Sequence, residues 1–140
     1  RWESYQERLV IVISNDRLTN MKKIVPAPIK PIIKYDDLNK IDIRIGSIEQ
    51  VIDIVESDKL VKLIGDFGDH KRNIIVGMKK ERENPQEIVG LQALFVVNLE
   101  SRKMMGHESE GMLFDIGYSD KITPVLAVPE KIVPSGVRAG

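Results

Sequence analysis

Between Asn98 and Met112 the chain gathers Asn98, Arg102, Lys103, His107 and Ser109 into one short polar stretch, broken by Gly106 and Gly111. Guanidinium and ammonium groups hold phosphate oxygens, whereas amides and hydroxyls read base edges or a 2′-hydroxyl, so this mixture suits the binding of a nucleic acid. The two glycines let the backbone turn sharply or approach a partner closely. Lys59, Lys62, Lys71 and Arg72 supply further cations that a small sheet can bring to the same side. The same charges would also serve merely to offset Glu100, Glu108 and Glu110, and composition alone favours neither reading.

Catalysis finds less support. The chain has no cysteine, hence no thiolate ligand or thiol nucleophile. His70 and His107 fall in separate predicted turns without metal-ligand spacing, and each reads as a solvent-exposed turn residue. The acidic pairs Asp36 with Asp37, Asp66 with Asp69 and Glu108 with Glu110 lack the donors that would tune one carboxyl as acid and the other as base. No glycine-rich phosphate loop ending in Lys-Ser or Lys-Thr occurs. The expectation is a binding module, not an enzyme, with neither cofactor nor metal.

Composition limits the mode of binding. Of 140 residues, 21 are Lys or Arg and 21 Asp or Glu, so the net charge is zero and any affinity for phosphate must come from a local patch. Hydrophobic residues make up 42%, enough for one packed core, and the length fits one domain with an extension. No apolar run reaches membrane-spanning length and no secretory leader is visible, so a cytoplasmic location is expected. Aromatics are few, and Phe67, Phe95 and Phe114 lie in strand patterns where a core role is expected. Structured RNA, recognised by shape and backbone, is therefore the better-suited ligand than a stacked single strand.

The elements that must hold these residues are mostly strands. Residues 1–33 read as an extension: Trp2, Tyr5, Leu9, Val12 and Ile13 recur at helical spacing, and Pro26, Pro28 and Pro31 follow as a semi-rigid linker. The domain is expected over 34–140. Tyr35 to Leu38 offers a helical turn. Ile41, Ile43 and Ile45 alternate as the buried face of a first strand, with Asp42 and Arg44 outward and a bulge expected where the parity changes at Gly46. Leu60–Phe67 and Arg72–Val76 form a hairpin around Gly68 to Lys71. A short helix capped by Asn84 with Pro85 is expected before a fourth strand over Leu91–Val97. The polar stretch then reads as a loop, followed by a fifth strand over Met112–Tyr118 and a short strand over Ile122–Val128. Short strands at this spacing predict an all-β barrel.

The motif Asn98-Leu99-x-x-Arg102-Lys103-Met104-x-Gly106-x-x-Ser109-x-Gly111-Met112 resembles the signature of the tRNA-binding domain family. That family includes free-standing tRNA-binding proteins and domains attached to methionyl-tRNA synthetases. Asp42-Ile43-Arg44-Ile45-Gly46, Asp58-Lys59-Leu60 and Pro134-Ser135-Gly136 resemble its other fixed points. The resemblance implies a five-stranded oligonucleotide/oligosaccharide-binding (OB) barrel with a short helix between strands 3 and 4. It implies a non-catalytic module that binds tRNA and delivers it to, or retains it for, methionyl-tRNA synthetase, as a separate subunit or terminal domain and as a homodimer. Carried over by position, it implies tRNA contacts from Lys59, Asn98, Arg102, Ser109 and Met112, with Lys103 beside them. Three departures, Val76 in place of Ser, Glu100-Ser101 in place of a basic residue and Pro, and no His-Pro before Asp58, each remove a donor, a charge or a rigid turn. They keep open a protein-interaction or chaperone-like module on the same fold.

Overall fold

A computed structural model describes residues 23–140; the amphipathic helix expected from Trp2 to about Ser14 lies outside the described residues. From Lys23 to Lys34 the chain has no helix or strand and is exposed, as three prolines within six positions dictate. Ala27 N–H ties it to the far end of the chain by donating to Asp120 Oδ1 at 2.6 Å. A single turn of helix, α1 (Tyr35–Leu38), leads into the sheet.

Seven strands follow: β1 (Ile43–Asp53), β2 (Val61–Asp66), β3 (Lys71–Val76), β4 (Gln92–Val96), β5 (Arg102–Met104), β6 (His107–Ser109) and β7 (Met112–Leu113). Five of them form one antiparallel sheet in the order β3-β2-β1-β4-β7, and β5 and β6 form a separate two-stranded ribbon. β1 is the long central strand, pairing through its first half with β4 and through its second half with β2. It can serve both because a register shift between Ile48 and Gln50 bends it. The free edge of β3 then meets the residues that precede β7: Glu110 N–H donates to Asn73 O at 2.8 Å, while Ile75 N–H donates to the Ser109 hydroxyl at 3.0 Å. Side-chain acceptors thus take some of the bonds a further strand would make, and the barrel is nearly closed. The all-β, five-stranded OB barrel expected from sequence is what the chain adopts.

The alternation in β1 follows the sequence expectation only in part: Ile45 and Ile48 are buried as expected, but it is Gly46, not Ile45, that joins Ile48 on the barrel side. Gly46 faces inward, where a Cβ would lie 2.8 Å from both Phe67 and Phe95, so the glycine makes room for two crossing rings, and the expected bulge falls just beyond it, between Ile48 and Gln50. Ile48 and Val51 face the core, whereas Ile45 is covered from outside. There the C-terminal segment adds itself to β1: Ile45 N–H donates to Val137 O at 2.9 Å, and Ala139 N–H to Ile43 O at 2.8 Å. Ile41 and Ile52, both expected inside, are exposed.

Two hydrophobic clusters result. The larger fills the barrel with Ile48, Leu63, Phe67, Ile74, Ile88, Phe95 and their neighbours. The smaller lies on the outer face of the sheet, where Met104 of the ribbon packs on Ile54, Leu60 and Ile75. Between β3 and β4 stands a single 3-10 turn, Pro85–Ile88, capped by Asn84 Oδ1 accepting from Gln86 N–H at 3.1 Å. The predicted fifth strand shrinks to Met112–Leu113, and Phe114 and Ile116 beyond it are exposed. The strand expected over Ile122–Val128 reduces to a bridge between Val125 and Ile116.

Candidate nucleic-acid interface

The polar stretch read as a loop is a braced ribbon. Met105 and Gly106, both with positive φ, make the tight turn between β5 and β6. Met104 pins the underside, and His107 Nε2 lies 2.8 Å from Glu56 Oε1 in the β1–β2 connection. His107 is therefore a half-buried clip in a strand, not a solvent-exposed turn residue. The carboxylate of Glu56 is held below its usual range chiefly by that contact. Arg72 of β3 donates through one terminal nitrogen to Val97 O at 2.7 Å and Glu110 O at 2.8 Å, on either side of the ribbon.

On this support Arg102 stands opposite Ser109, and Lys103 opposite Glu108. Arg102 and Lys103 are exposed, and neither side chain makes a hydrogen bond or ion pair with the described residues. Lys59 is likewise exposed and Lys62 half-buried, and neither side chain makes a hydrogen bond or ion pair with the described residues. Beneath the ribbon runs a groove of about 340 Å³ whose lining includes Lys59, Val76, Met104, Met112 and Tyr118. Glu81 and Asp115 line it too. Both carboxyls are pushed above their usual range, first by burial; at Glu81 the charge of Asp115 adds to the effect.

The connection that carries Lys59 is equally fixed. Lys79 Nζ donates to Ile54 O and Ser57 O, each at 2.6 Å, and the buried Ser57 hydroxyl accepts from Leu60 N–H at 3.1 Å. Sequence reasoning passed over Lys79, because a lysine in a polar segment gives no sign that it will be enclosed by carbonyls.

Of the six residues predicted to touch RNA, Lys59, Met112, Arg102 and Lys103 therefore belong to the groove and its ribbon. Ser109 presents no free polar atom, and the exposed Asn98 amide is engaged by backbone groups through both its oxygen and its nitrogen. Ser109 is 4% exposed and its hydroxyl, besides accepting from Ile75 N–H, donates to Gly111 O at 3.0 Å. Asn98 Oδ1 accepts from Asp42 N–H at 2.8 Å and its Nδ2 donates to Lys40 O at 2.6 Å. It lines a second cavity, about 740 Å³, with Tyr35, Leu38, Ile41 and Arg138, and no residue lines both. Asp42, expected on a neutralised outer face, is paired there: Arg44 Nε lies 3.0 Å and Arg138 Nε 3.1 Å from its Oδ1. These partners, Arg44 foremost, hold the Asp42 carboxyl below its usual range.

The wider set of cations is also divided. Lys71 pairs with Glu49 at 2.8 Å, and Arg72 is occupied by carbonyls, so neither adds a free charge. Among the aromatics, Phe67 and Phe95 are core as expected, packed edge to face. Phe114, expected in the core, is 44% exposed, and Tyr118 is more so.

Residues 43–138 match the family model described as a putative tRNA binding domain. The chain is 41% identical over 107 residues to a methionine-tRNA ligase of Methanothrix thermoacetophila, an alignment that covers 76% of this chain and 15% of that protein. It thus spans about one-sixth of the length of the curated relatives it matches. Among solved structures, a MetRS related protein from Pyrococcus horikoshii superposes with a TM-score of 0.71 at 32% identity, covering 79% of this chain and all of that one. The CsaA chaperone protein from Picrophilus torridus gives 0.66 at 27% identity, covering 78% and all of that chain. No helix of the described residues is long and apolar enough to cross a membrane.

Proposed function

The chain belongs to the family of putative tRNA-binding domains, and from that membership we propose that it binds tRNA without transforming it, through the ribbon and the groove beside it. The observation that carries this reading is the contrast in charge pairing. Arg102 and Lys103 stand unpaired on a braced ribbon next to Lys59, whereas the polar residues that hold the ribbon are saturated. A rigid scaffold with unpaired cations at the surface is what phosphate contacts require, since ordering is settled before the ligand arrives. Met112 and Tyr118 offer apolar and aromatic surface in the groove between.

The likeness to a methionine-tRNA ligase supports a finer reading, in which the module keeps tRNA near methionyl-tRNA synthetase as a separate subunit or a terminal domain. Such tethering makes the next encounter effectively intramolecular, so modest affinity suffices. In the same reading residues 1–33 are an extension of the binding domain, the protein is cytoplasmic and the working form is a homodimer, which sedimentation of the full chain checks. The likeness to CsaA and the exposed Phe114, Ile116, Tyr118 and Val125 favour a second reading, a chaperone-like module that takes apolar protein segments. A gel-shift titration with bulk tRNA at low and physiological salt separates the two. The tRNA reading expects a saturable shift that weakens with salt; no shift at low salt, together with capture of an unfolded client, favours the second.

A further inference from the structure

We propose that Arg72 is a positioning residue for RNA binding: it ties down both ends of the ribbon, and it holds that posture fully only while His70 is neutral. The proposal rests on the tRNA-binding reading above for its ligand, and on the following geometry for its mechanism.

Arg72 is only partly buried, but its guanidinium is taken up by contacts within the fold. Its guanidinium lies 5.8 Å from the centroid of the Phe67 ring and donates to Val97 O and Glu110 O. Those two carbonyls bracket the whole ribbon, so one side chain fixes the distance between its ends. The guanidinium is in turn oriented by Nε, which donates to His70 Nε2 at 2.9 Å. An arginine nitrogen can only donate, so Nε2 must accept, and the proton of a neutral imidazole sits on Nδ1. Nδ1 lies 2.6 Å from Asp69 Oδ1 and donates to it. The imidazole also stacks on Phe67 at 5.7 Å, which fixes its plane. Asp69, His70 and Arg72 thus form one directed chain of hydrogen bonds ending at the two carbonyls.

A second proton on His70 breaks that direction. Nε2 then carries hydrogen and faces a guanidinium 2.9 Å away, a like-charge contact where a bond had been. The remaining charged groups around the turn do not reverse this. Asp69 holds the imidazolium through Nδ1 and not through the Nε2 that faces Arg72, and Arg44 of β1 offsets part of the Asp69 charge. Asp66 accepts from Gly68 N–H, Lys71 is paired with Glu49, and the Glu110 carboxylate accepts from Asn73 N–H. Arg72 loses the partner that orients it, and the ends of the ribbon lose a fixed donor.

The sign is diagnostic. A histidine that merely touched phosphate would strengthen RNA binding on protonation. The clamp weakens it.

The test is fluorescence anisotropy of labelled bulk tRNA with the full chain at pH 8 and pH 5.5, alongside the 13C-methyl resonance of Met104 as a report on the ribbon. The interval spans the range in which imidazoles exchange a proton. The expected result for the wild type is an affinity loss on the order of tenfold in acid, as the competent fraction falls, with a displaced Met104 signal. His70→Gln keeps an oxygen that can accept from Arg72 but does not titrate, and is expected to remove most of both changes. Wild type and variant both retain His107, so the difference between them isolates His70. Arg72→Lys offers one nitrogen where Arg72 uses Nε for the imidazole and a terminal nitrogen for the carbonyls, and is expected to bind about tenfold more weakly at both pH values. If that variant fails to fold, His70→Gln decides the matter alone. Tighter binding in acid through His70, or a Met104 resonance that does not move with pH, overturns the proposal. Should tRNA bind at neither pH, the RNA reading fails while the clamp is still judged: a Met104 signal that moves in the wild type but not in His70→Gln upholds it, and a static signal sinks it.

Discussion

Around the cavity beside Asn98, polar groups find partners within the fold. Asn98 bonds two backbone groups, and Asp42 is held by Arg44 and Arg138. Around the groove beside Met112, among the described residues, Lys59 forms no ion pair, Glu81 and Asp115 face no cation at salt-bridge distance, and the side chains of the nearby Arg102 and Lys103 have no partner. The sequence motif that spans both regions therefore mixes residues that build with residues able to bind. A conserved-looking spacing is no guide to which is which; the hydrogen-bond partner of each polar atom is.

The largest effect separating the two classes is expected at Ser109, on the building side of the ribbon. Ser109→Ala leaves the buried Ile75 N–H without its acceptor, a loss of about 1–3 kcal/mol in unfolding free energy. Asn98→Ala, which leaves two more accessible backbone groups, is expected to lose about 1 kcal/mol. Urea unfolding measures both. If either variant unfolds like the wild type while tRNA affinity collapses, that residue belongs with the binders and the contrast between the regions is lost.

Arg102→Ala is expected to do the reverse. An exposed side chain without partners contributes within about 0.5 kcal/mol to stability. Its removal should nonetheless weaken the binding of many tRNAs alike and reduce the slope of log affinity against log salt by about one. An unchanged slope would place the phosphate contacts elsewhere on the barrel.

How much of this was legible beforehand follows from the range of each interaction. Hairpins and strand positions depend on local alternation and turn chemistry, so β2, β3 and β4 fall within a residue or two of expectation. The parity of β1 was partly misread because its burial depends on distant residues. Phe67 and Phe95 cross over Gly46, and the C-terminal segment pairs with the backbone of Ile43 and Ile45, neither of which a local pattern contains. The ribbon was read as a loop for a related reason: its residues are polar, and what orders it is Met104 on Ile75 together with side-chain acceptors on the edge of β3. Arg72 and Arg102 look alike in sequence as single arginines near strands. Only the carbonyls around Arg72 tell them apart.

The two regions should also answer acid with opposite signs, the subtlest of these expectations. Asp42 has its carboxyl lowered in the folded state, chiefly by Arg44, so its ionised form stabilises the fold above the unfolded value. That contribution is lost as the pH falls through the ordinary aspartate range, about 3.9, and below it. Glu81 and Asp115 are raised by burial, so their charged forms oppose folding. Their cost is absent below the ordinary carboxylate values and grows as the pH rises through the window between those values and the raised ones. Replacing both, Glu81→Gln with Asp115→Asn, should therefore raise the urea midpoint at pH 7 and leave it unchanged near pH 3. Asp42→Asn should lower the midpoint at pH 7 and lose that deficit in acid. If the double variant is no more stable than the wild type at pH 7, the groove carboxylates are better solvated than their burial implies. The groove would then be a wetter and less selective surface than the ribbon beside it suggests.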